Sequence, residues 1–174
     1  MMLSGRKRRM PNQNDKIKKL KELLREVKKL KESGSKIVFT NGCFDLLHVG
    51  HLRLFREAKR RGDILIVGLN SDASVKKLKG PDRPLVPVKE RAELLANLEL
   101  IDYVVIFAEE TPENLIRAIR PDVLVKGADY KLRQIVGLED VCNNGGKVVR
   151  IPILPGHSTS QMIKGKRTLQ QRKG

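Results

Sequence analysis

Several residue types are scarce in this chain of 174 residues. It has no tryptophan, only 3% of its residues are aromatic, and it contains two cysteines. Two cysteines are too few for a disulfide framework, which favours a reducing compartment, so we expect a cytoplasmic protein. So few aromatic rings leave little for nucleic-acid bases to stack on. A dedicated nucleic-acid-binding module is therefore disfavoured for the core of the chain.

The chain also lacks a long apolar run. No stretch of about 18 apolar residues occurs, so the sequence predicts no membrane span. The basic N-terminus has no apolar segment behind it and in this respect differs from a secretory signal. The hydrophobic fraction of 40% is ordinary for a globular protein, and the length is enough for one domain with a substantial core.

Acidic residues are outnumbered, with 20 of them against 36 basic ones and a formal net charge of +16. The basic excess lies at the two ends, because residues 37–163 carry 18 basic and 16 acidic side chains and are nearly neutral. We expect these ends to bind polyanions non-specifically at most. The composition predicts three parts: a basic N-terminal extension with an amphipathic helix at 1–35, a globular domain at 36–164, and a basic C-terminal tail at 165–174.

One stretch, residues 40–51, has the pattern of a phosphate-binding turn. It follows residues 36–39, three of which are apolar and which are predicted to be a buried strand, and it leads into an amphipathic helix. Such a strand, turn and helix present free backbone N–H groups and the positive end of the helix dipole to an anion. His48 and His51 lie one helical turn apart at the start of this helix, and Gly50 allows a ligand to approach the backbone closely.

Two alternatives to a phosphate site are open. A short H-x-G-H pattern can occur by chance. The two histidines could also hold a metal ion, but His157 is the only other histidine and no acidic cluster lies nearby, so we predict no protein metal site. The strand before the pattern and the helix after it make the phosphate site the favoured hypothesis.

Apolar runs alternate with helical periodicity along the chain. This alternation predicts an α/β protein with a doubly wound, five-stranded parallel sheet and a Rossmann-like fold. An extra N-terminal helix over about 16–32, capped by Asp15, precedes the sheet, and its apolar stripe docks on the core or forms a dimer contact. Polar motifs follow four of the predicted strands, at the ends where ligands bind in such folds. These motifs are residues 40–51, 70–80, 126–130 and 156–160.

The motifs resemble those of the cytidylyltransferase-like H-x-G-H nucleotidyltransferases. The K-L-K-G-x-x-R-P block at 77–84 and the V-K-G-A-D-Y block at 125–130 are most similar to the adenylyltransferase domains of the ADP-heptose synthases. The resemblance implies transfer of an adenylyl group from ATP, with Mg²⁺, to D-glycero-β-D-manno-heptose 1-phosphate. A sugar kinase domain often precedes this domain in that branch and none precedes it here, so we expect the kinase on a separate chain. The oligomeric state stays open, and a homo-oligomer is one of the alternatives.

Two other functions stay open at this point. One is cytidylyl transfer from CTP to glycerol 3-phosphate or a related alcohol phosphate, because enzymes using either nucleotide share the histidine motif. The other is nucleotide or nucleic-acid binding without chemistry. In either transfer reaction the acceptor phosphate, with a second pKa near roughly 6, is largely ionised at neutral pH and needs no general base.

The resemblance also implies roles residue by residue. His48, His51 and Lys79 are expected to be catalytic, with the histidines donating hydrogen bonds to the α-phosphate. The expected acceptor-binding residues are Asp72, Lys77, Lys79 and Arg91. The expected nucleotide-binding residues are Thr40, Asn41, Gly42, Phe44, His48, Gly50, His51, Lys126, Gly127, Asp129, Ser158, Thr159 and Ser160.

Several of these residues have a plain structural alternative. The lysines could form a solvated run, Arg91 could make an exposed ion pair on its helix, and Ser158 could be a simple helix cap. Asp45 could bind ligand or stabilise the turn. Cys43 could be a reactive thiol or a small buried side chain.

Overall fold

The computed structural model describes residues 13–128 and 131–152. Its strands are β1 (Ile17–Lys18), β2 (Ile37–Gly42), β3 (Ile64–Asn70), β4 (Tyr103–Phe107), β5 (Val123–Gly127) and β6 (Lys147–Ile151). The α-helices of this described part are α1 (Gln13–Lys16), α2 (Leu20–Glu32), α3 (Val49–Lys59), α4 (Asp72–Lys79), α5 (Val88–Ala96), α6 (Glu113–Ile119) and α7 (Leu138–Asn143), and a 3₁₀ turn spans Leu132–Gln134.

The strands form one parallel sheet in the order β1-β4-β3-β2-β5-β6. From β2 the chain adds β3 and β4 on one side and then returns to add β5 and β6 on the other side. The winding therefore reverses between β2 and β5, which is the place where such folds bind ligands at the carboxyl ends of their strands. The predicted doubly wound, Rossmann-like fold is confirmed.

The number of strands differs from the prediction, because the sheet has six strands and not five. The added strand is β1, where Ile17 and Lys18 pair with Val104 and Val105 of β4. The sequence predicts a continuous helix here, but the unpaired backbone groups at the edge of β4 accept a partner strand and override the local helical pattern. Asp15 consequently lies within the short helix α1 and does not cap α2.

Helix α2 docks on the chain's own core. Its apolar residues Leu23, Val27 and Leu30 are 0%, 4% and 7% exposed, and they pack in one cluster with Phe39 of β2 and Ile116 of α6. Burial of this stripe removes the apolar surface that would otherwise need a partner. The sequence left open whether this apolar stripe packs on the core or forms a dimer contact, and the structure shows that it packs on the core.

Alternate residues of the strands enter two different cores. Ile37 and Phe39 pack with α2, α6 and α7 on one face of the sheet, whereas Val38 packs with α3 and α5 on the other. This alternation is the two-residue period of a strand buried on both faces. Among the described helices, none combines the length and the apolar character needed to cross a bilayer.

Candidate functional site

A cavity of about 510 Å³ lies at the carboxyl edge of the sheet, across the point where the winding reverses. Its walls come from the ends of β2, β3, β5 and β6 and from the segments 110–112 and 134–136. The cavity brings together ten of the residues singled out by the sequence, although these are spread over almost 90 positions. They are Thr40, Asn41, Gly42, Phe44, His48, Gly50, His51, Lys79, Lys126 and Gly127.

Seven other predicted site residues are not part of this described lining. Asp72, Lys77 and Arg91 belong to the described part of the chain but do not line the cavity. The remaining four, together with His157, lie outside the described residues, so the expectations for them stay predictions. These four are Asp129, Ser158, Thr159 and Ser160.

The turn after β2 is shaped by Phe44. This residue adopts a left-handed backbone conformation with φ of 43° and is 6% exposed. The ring lies 5.1 Å from Phe55 and makes an edge contact with His51 at 5.2 Å between ring centroids. A Cβ on Gly42 would come within 3.0 Å of this ring, so glycine lets the aromatic side chain fold under the turn. The ring of Phe44 thereby supports the imidazole ring of His51.

His48 occupies the N-cap of α3. Its backbone is extended, and its Nδ1 accepts a hydrogen bond of 3.1 Å from the backbone N–H of Gly50. A ring nitrogen that accepts carries no proton, so neutral His48 has its proton on Nε2. The local structure therefore sets the tautomer and turns Nε2–H into a hydrogen-bond donor at the cavity wall.

His51 is held in its neutral form. Burial, and secondarily the charge of neighbouring His48, lowers its pKa to about 4. Its buried Nδ1 has no hydrogen-bond partner within the described structure. A neutral imidazole donates through one nitrogen and accepts through the other, so His51 has polar capacity that the protein itself does not use.

Two more polar groups at the end of β2 are buried without a partner. Thr40 is 0% exposed and its Oγ1 has no hydrogen bond among the described residues, and the same holds for Oδ1 of Asn41. Buried polar groups in proteins are nearly always paired, because an unpaired one costs about 1–3 kcal/mol. Both residues line the cavity. Their geometry is that of groups that complete their hydrogen bonds with a ligand.

Arg91 has an interior position. Its side chain is fully buried, and it donates to the carbonyls of Val86 at 2.8 Å, Cys43 at 2.5 Å and Asn70 at 2.9 Å. It also donates to Asp72 at 2.7 Å. The hypothesis of an exposed ion pair on its helix is therefore wrong. Arg91 ties the turn that carries the histidines to the end of β3 and to the loop before α5.

Three more side chains near the motif have roles that follow from their surroundings. The carboxylate of Asp45 is buried and bound by the loop 83–86, so it stabilises the turn. Burial raises the pKa of the Cys43 thiol, with Lys79 as the largest opposing influence, so this cysteine is mainly a protonated packing residue at neutral pH. Lys77 is exposed and forms a 3.7 Å ion pair with Glu110.

Five polar residues of the cavity wall were not predicted as site residues. They are Asn70, Arg83, Glu110, Thr111 and Gln134. Arg83 lies in the R-P part of the K-L-K-G-x-x-R-P block, so the block itself was a signal. Glu110 and Gln134 follow β4 and β5 in segments without a motif, and only the folded sheet brings them to the site.

The amino-acid sequence is similar to those of known proteins. A family model described as cytidylyltransferase-like matches residues 39–165. The bifunctional protein HldE of Syntrophotalea carbinolica is 52% identical over 146 residues, which are 83% of this chain and 30% of that protein. HldE of Geotalea uraniireducens is 51% identical over 158 residues, covering 91% of this chain and 32% of that protein. The chain thus spans about a third of the length of these relatives.

Solved structures have the same fold. A lipopolysaccharide core biosynthesis protein from Thermoplasma volcanium superposes with a TM-score of 0.58 at 25% identity, covering 70% of this chain and 98% of that one. A pantoate-beta-alanine ligase from Francisella tularensis superposes with a TM-score of 0.57 over 80% of this chain and 68% of that one. At 16% identity, the second likeness concerns the fold alone.

Proposed function

Because the chain belongs to the cytidylyltransferase-like family, we propose that it transfers an adenylyl group from ATP to D-glycero-β-D-manno-heptose 1-phosphate, giving ADP-heptose and pyrophosphate for lipopolysaccharide core synthesis. The observation that carries this proposal is the cavity in which both motif histidines meet the ends of β2 and β5. The relatives named HldE and the Thermoplasma protein named for lipopolysaccharide core biosynthesis support the choice of a sugar acceptor. The resemblance of residues 77–84 and 125–130 supports ATP.

The reaction is a displacement at phosphorus. An oxygen of the acceptor phosphate forms a bond to the α-phosphorus of ATP, and the bond from this phosphorus to the bridging oxygen of the β-phosphate breaks. The electron pair leaves with pyrophosphate. The acceptor phosphate is mostly ionised at neutral pH, so the protein does not have to remove a proton. Its task is to position two anions and to stabilise charge as the α-phosphorus becomes five-coordinate.

The two histidines supply hydrogen bonds for this task. His48 offers Nε2–H, since its Nδ1 already accepts from Gly50. His51 is neutral before ATP arrives, because burial lowers its pKa. Each neutral ring can donate one hydrogen bond to an oxygen of the α- or β-phosphate and keeps its proton. Preorganised donors of this kind stabilise a transition state without reorganising during the reaction.

The remaining cavity residues supply positive charge or hydrogen-bonding groups. Lys79 and Lys126 bring positive charge to the wall, which offsets the charge of the triphosphate. Thr40 and Asn41 have unpaired buried polar atoms that a nucleotide would satisfy. We assign further nucleotide contacts to Gly42, Phe44, Gly50, Gly127, Asp129, Ser158, Thr159 and Ser160, and an acceptor contact to Lys79. The other expected acceptor residues, Asp72, Lys77 and Arg91, do not line the cavity, and Arg91 contributes by holding the turn and the loop beside it.

ATP reacts as its Mg²⁺ complex in this proposal. Among the described residues, no three His, Cys, Asp or Glu side chains are grouped so that they could hold a metal ion. Phosphate oxygens and water would therefore hold the ion, as is usual for Mg²⁺. When bound, it neutralises part of the triphosphate charge. Both cysteines are unpaired, which fits a reducing cytoplasm as the location of the enzyme.

A pyrophosphate-release assay tests this function. ATP and CTP are each combined with the heptose 1-phosphate, with other sugar 1-phosphates and with glycerol 3-phosphate. We expect turnover with ATP and the heptose 1-phosphate, at a kcat/KM at least about tenfold above any pair that contains CTP. A preference for CTP with glycerol 3-phosphate would instead identify a cytidylyltransferase. Absence of turnover with every pair, in a protein that binds nucleotide, would exclude transferase activity.

A further inference from the structure

The guanidinium of Arg83 is fixed at the cavity wall by a buried carboxylate. Its Nε donates to Oδ2 of Asp45 at 2.5 Å, and one of its terminal nitrogens contacts the same oxygen. The side chain of Arg83 is 16% exposed and that of Asp45 only 2%. Both residues line the cavity. An arginine held by two of its donors has a defined direction, which a flexible surface arginine lacks.

Both carboxylate oxygens of Asp45 accept hydrogen bonds from the loop that contains Arg83. Its Oδ1 accepts from the backbone N–H groups of Leu85 at 2.8 Å and Val86 at 2.9 Å. Arg91 binds the same loop from the other side through the carbonyl of Val86, and it also binds the carbonyl of Cys43. The loop is thereby joined to the turn that leads to His48. The distance from Arg83 to the histidines is set by these hydrogen bonds.

Some N–H groups of the Arg83 guanidinium remain available to bind a ligand. A guanidinium has five N–H groups, and within the described structure its hydrogen bonds go to Asp45 alone. Lys79 stands in the same wall and ends α4 just before Gly80, whose carbonyl accepts the backbone N–H of Arg83 at 3.2 Å. One short segment therefore presents two cations to the cavity. The fork of an arginine matches the oxygens of a phosphate.

The topology separates this pair from the expected nucleotide contacts. Lys79 and Arg83 belong to the connection that leaves β3, on one side of β2, whereas Lys126 and Gly127 end β5, on the other side. His48 and His51 follow β2, between the two sides. In a displacement at phosphorus the attacking and leaving oxygens approach from opposite sides. When the nucleotide binds on the β5 side, the β3 side is therefore available for the attacking phosphate.

We propose that Arg83 and Lys79 form the binding subsite for the phosphomonoester of the acceptor, with Asp45 as the residue that positions Arg83. This rests on the proposed nucleotidyl transfer, and it applies to any acceptor that brings a phosphomonoester. The subsite offsets the repulsion between two phosphate groups that have to come within bonding distance. It also gives the acceptor phosphate a recognition element that a neutral sugar or alcohol lacks.

The test compares Arg83→Lys, Arg83→Gln and Asp45→Asn with the wild type. Arg56→Gln is the matched control, since Arg56 is exposed on α3 and does not line the cavity. Pyrophosphate release gives KM for the acceptor, calorimetry gives Kd for ATP with Mg²⁺, and thermal unfolding gives Tm. We expect Arg83→Gln to raise the acceptor KM by about tenfold to a hundredfold, the scale for a charge-assisted hydrogen bond, while Kd for ATP changes less than threefold.

The Arg83→Lys variant is included in case Arg83→Gln fails to fold, because it keeps a positive charge beside buried Asp45. It should fold and raise the acceptor KM about tenfold, since a lysine cannot bind Asp45 and a phosphate with a planar fork. Asp45→Asn should change the acceptor KM in the same direction and also lower Tm. A folded Arg83→Lys variant with the wild-type acceptor KM would overturn the subsite, as would an equal weakening of ATP and acceptor.

The test separates this subsite from the proposed function. If the wild type turns over glycerol 3-phosphate with CTP, the heptose assignment fails but the acceptor KM of the variants is still measured, with glycerol 3-phosphate. If no transfer occurs, inorganic phosphate is titrated calorimetrically into each protein saturated with a non-hydrolysable ATP analogue. Weaker phosphate binding by the Arg83 variants then supports the subsite, and phosphate binding equal to that of the wild type, or none by the wild type, overturns it.

Discussion

His48 and His51 stack on each other, with ring centroids 3.8 Å apart and ring planes inclined by 27°. At this separation two positive charges would repel strongly, and the nearby histidine is one of the two causes that lower the pKa of His51. The stack also fixes the orientation of both rings at the start of α3. The stack therefore favours a neutral His51 and holds both rings in a fixed orientation.

Replacing either histidine is expected to impair chemistry more than folding. His48→Ala and His51→Ala should each lower kcat about a hundredfold or more, the scale for removing one donor to a developing negative charge. His48→Ala should also lose roughly 1 kcal/mol of unfolding free energy, because His48 caps α3. Steady-state kinetics with thermal unfolding checks both effects. Near-normal kcat in the two folded variants would contradict the mechanism.

Stability should fall in mild acid because of His51. Its pKa of about 4 in the folded chain lies below the value of 6.5 for a free histidine, so the unfolded chain binds the proton more tightly. This group alone should therefore remove roughly 2 kcal/mol of unfolding free energy between pH 7 and pH 5. Urea unfolding of wild type and His51→Gln at both pH values isolates the contribution. An identical loss in both proteins would argue against a neutral, buried His51.

Thr40 is expected to matter for ligand and not for folding. Its hydroxyl is buried and has no partner in the described structure, so Thr40→Val removes an unsatisfied group and keeps the shape of the side chain. We expect equal or greater thermal stability, and a Kd for ATP raised about fivefold to tenfold through the lost hydrogen bond. Calorimetric titration with ATP and Mg²⁺ measures this. A Tm lowered by several degrees, with unchanged Kd, would indicate that the hydroxyl is structural.

Arg91 is expected to be required for stability. Arg91→Leu leaves three carbonyls without their donor, those of Cys43, Asn70 and Val86, and frees Asp72. The unfolding free energy should fall by about 3 kcal/mol or more, as for other broken buried ion networks. Arg56→Leu, on the exposed face of α3, should stay within about 0.5 kcal/mol of the wild type in the same urea titration. A loss below about 1 kcal/mol for Arg91→Leu would contradict this role.

Local patterns in the sequence determined the fold type and the position of the main motif. The strand, turn and helix around residues 40–51 are adjacent in the chain, so their geometry follows from apolar runs, glycine and capping residues without distant partners. The alternation of strands and helices then requires a covered parallel sheet, and its carboxyl edge gathers the motifs. For this reason ten of the cavity residues, from Thr40 to Gly127, could be named from the sequence.

Other features were decided by contacts between residues far apart in the chain. Strand β1 forms because the edge of β4 offers unpaired backbone groups to Ile17 and Lys18, which by local pattern belong to a helix. Asp45 and Arg83 are 38 positions apart, and only the packing of their loops makes them a buried pair. Burial likewise makes Arg91 an interior anchor. Desolvation and long-range hydrogen bonding depend on what surrounds a side chain, which the order of residues along one segment does not contain.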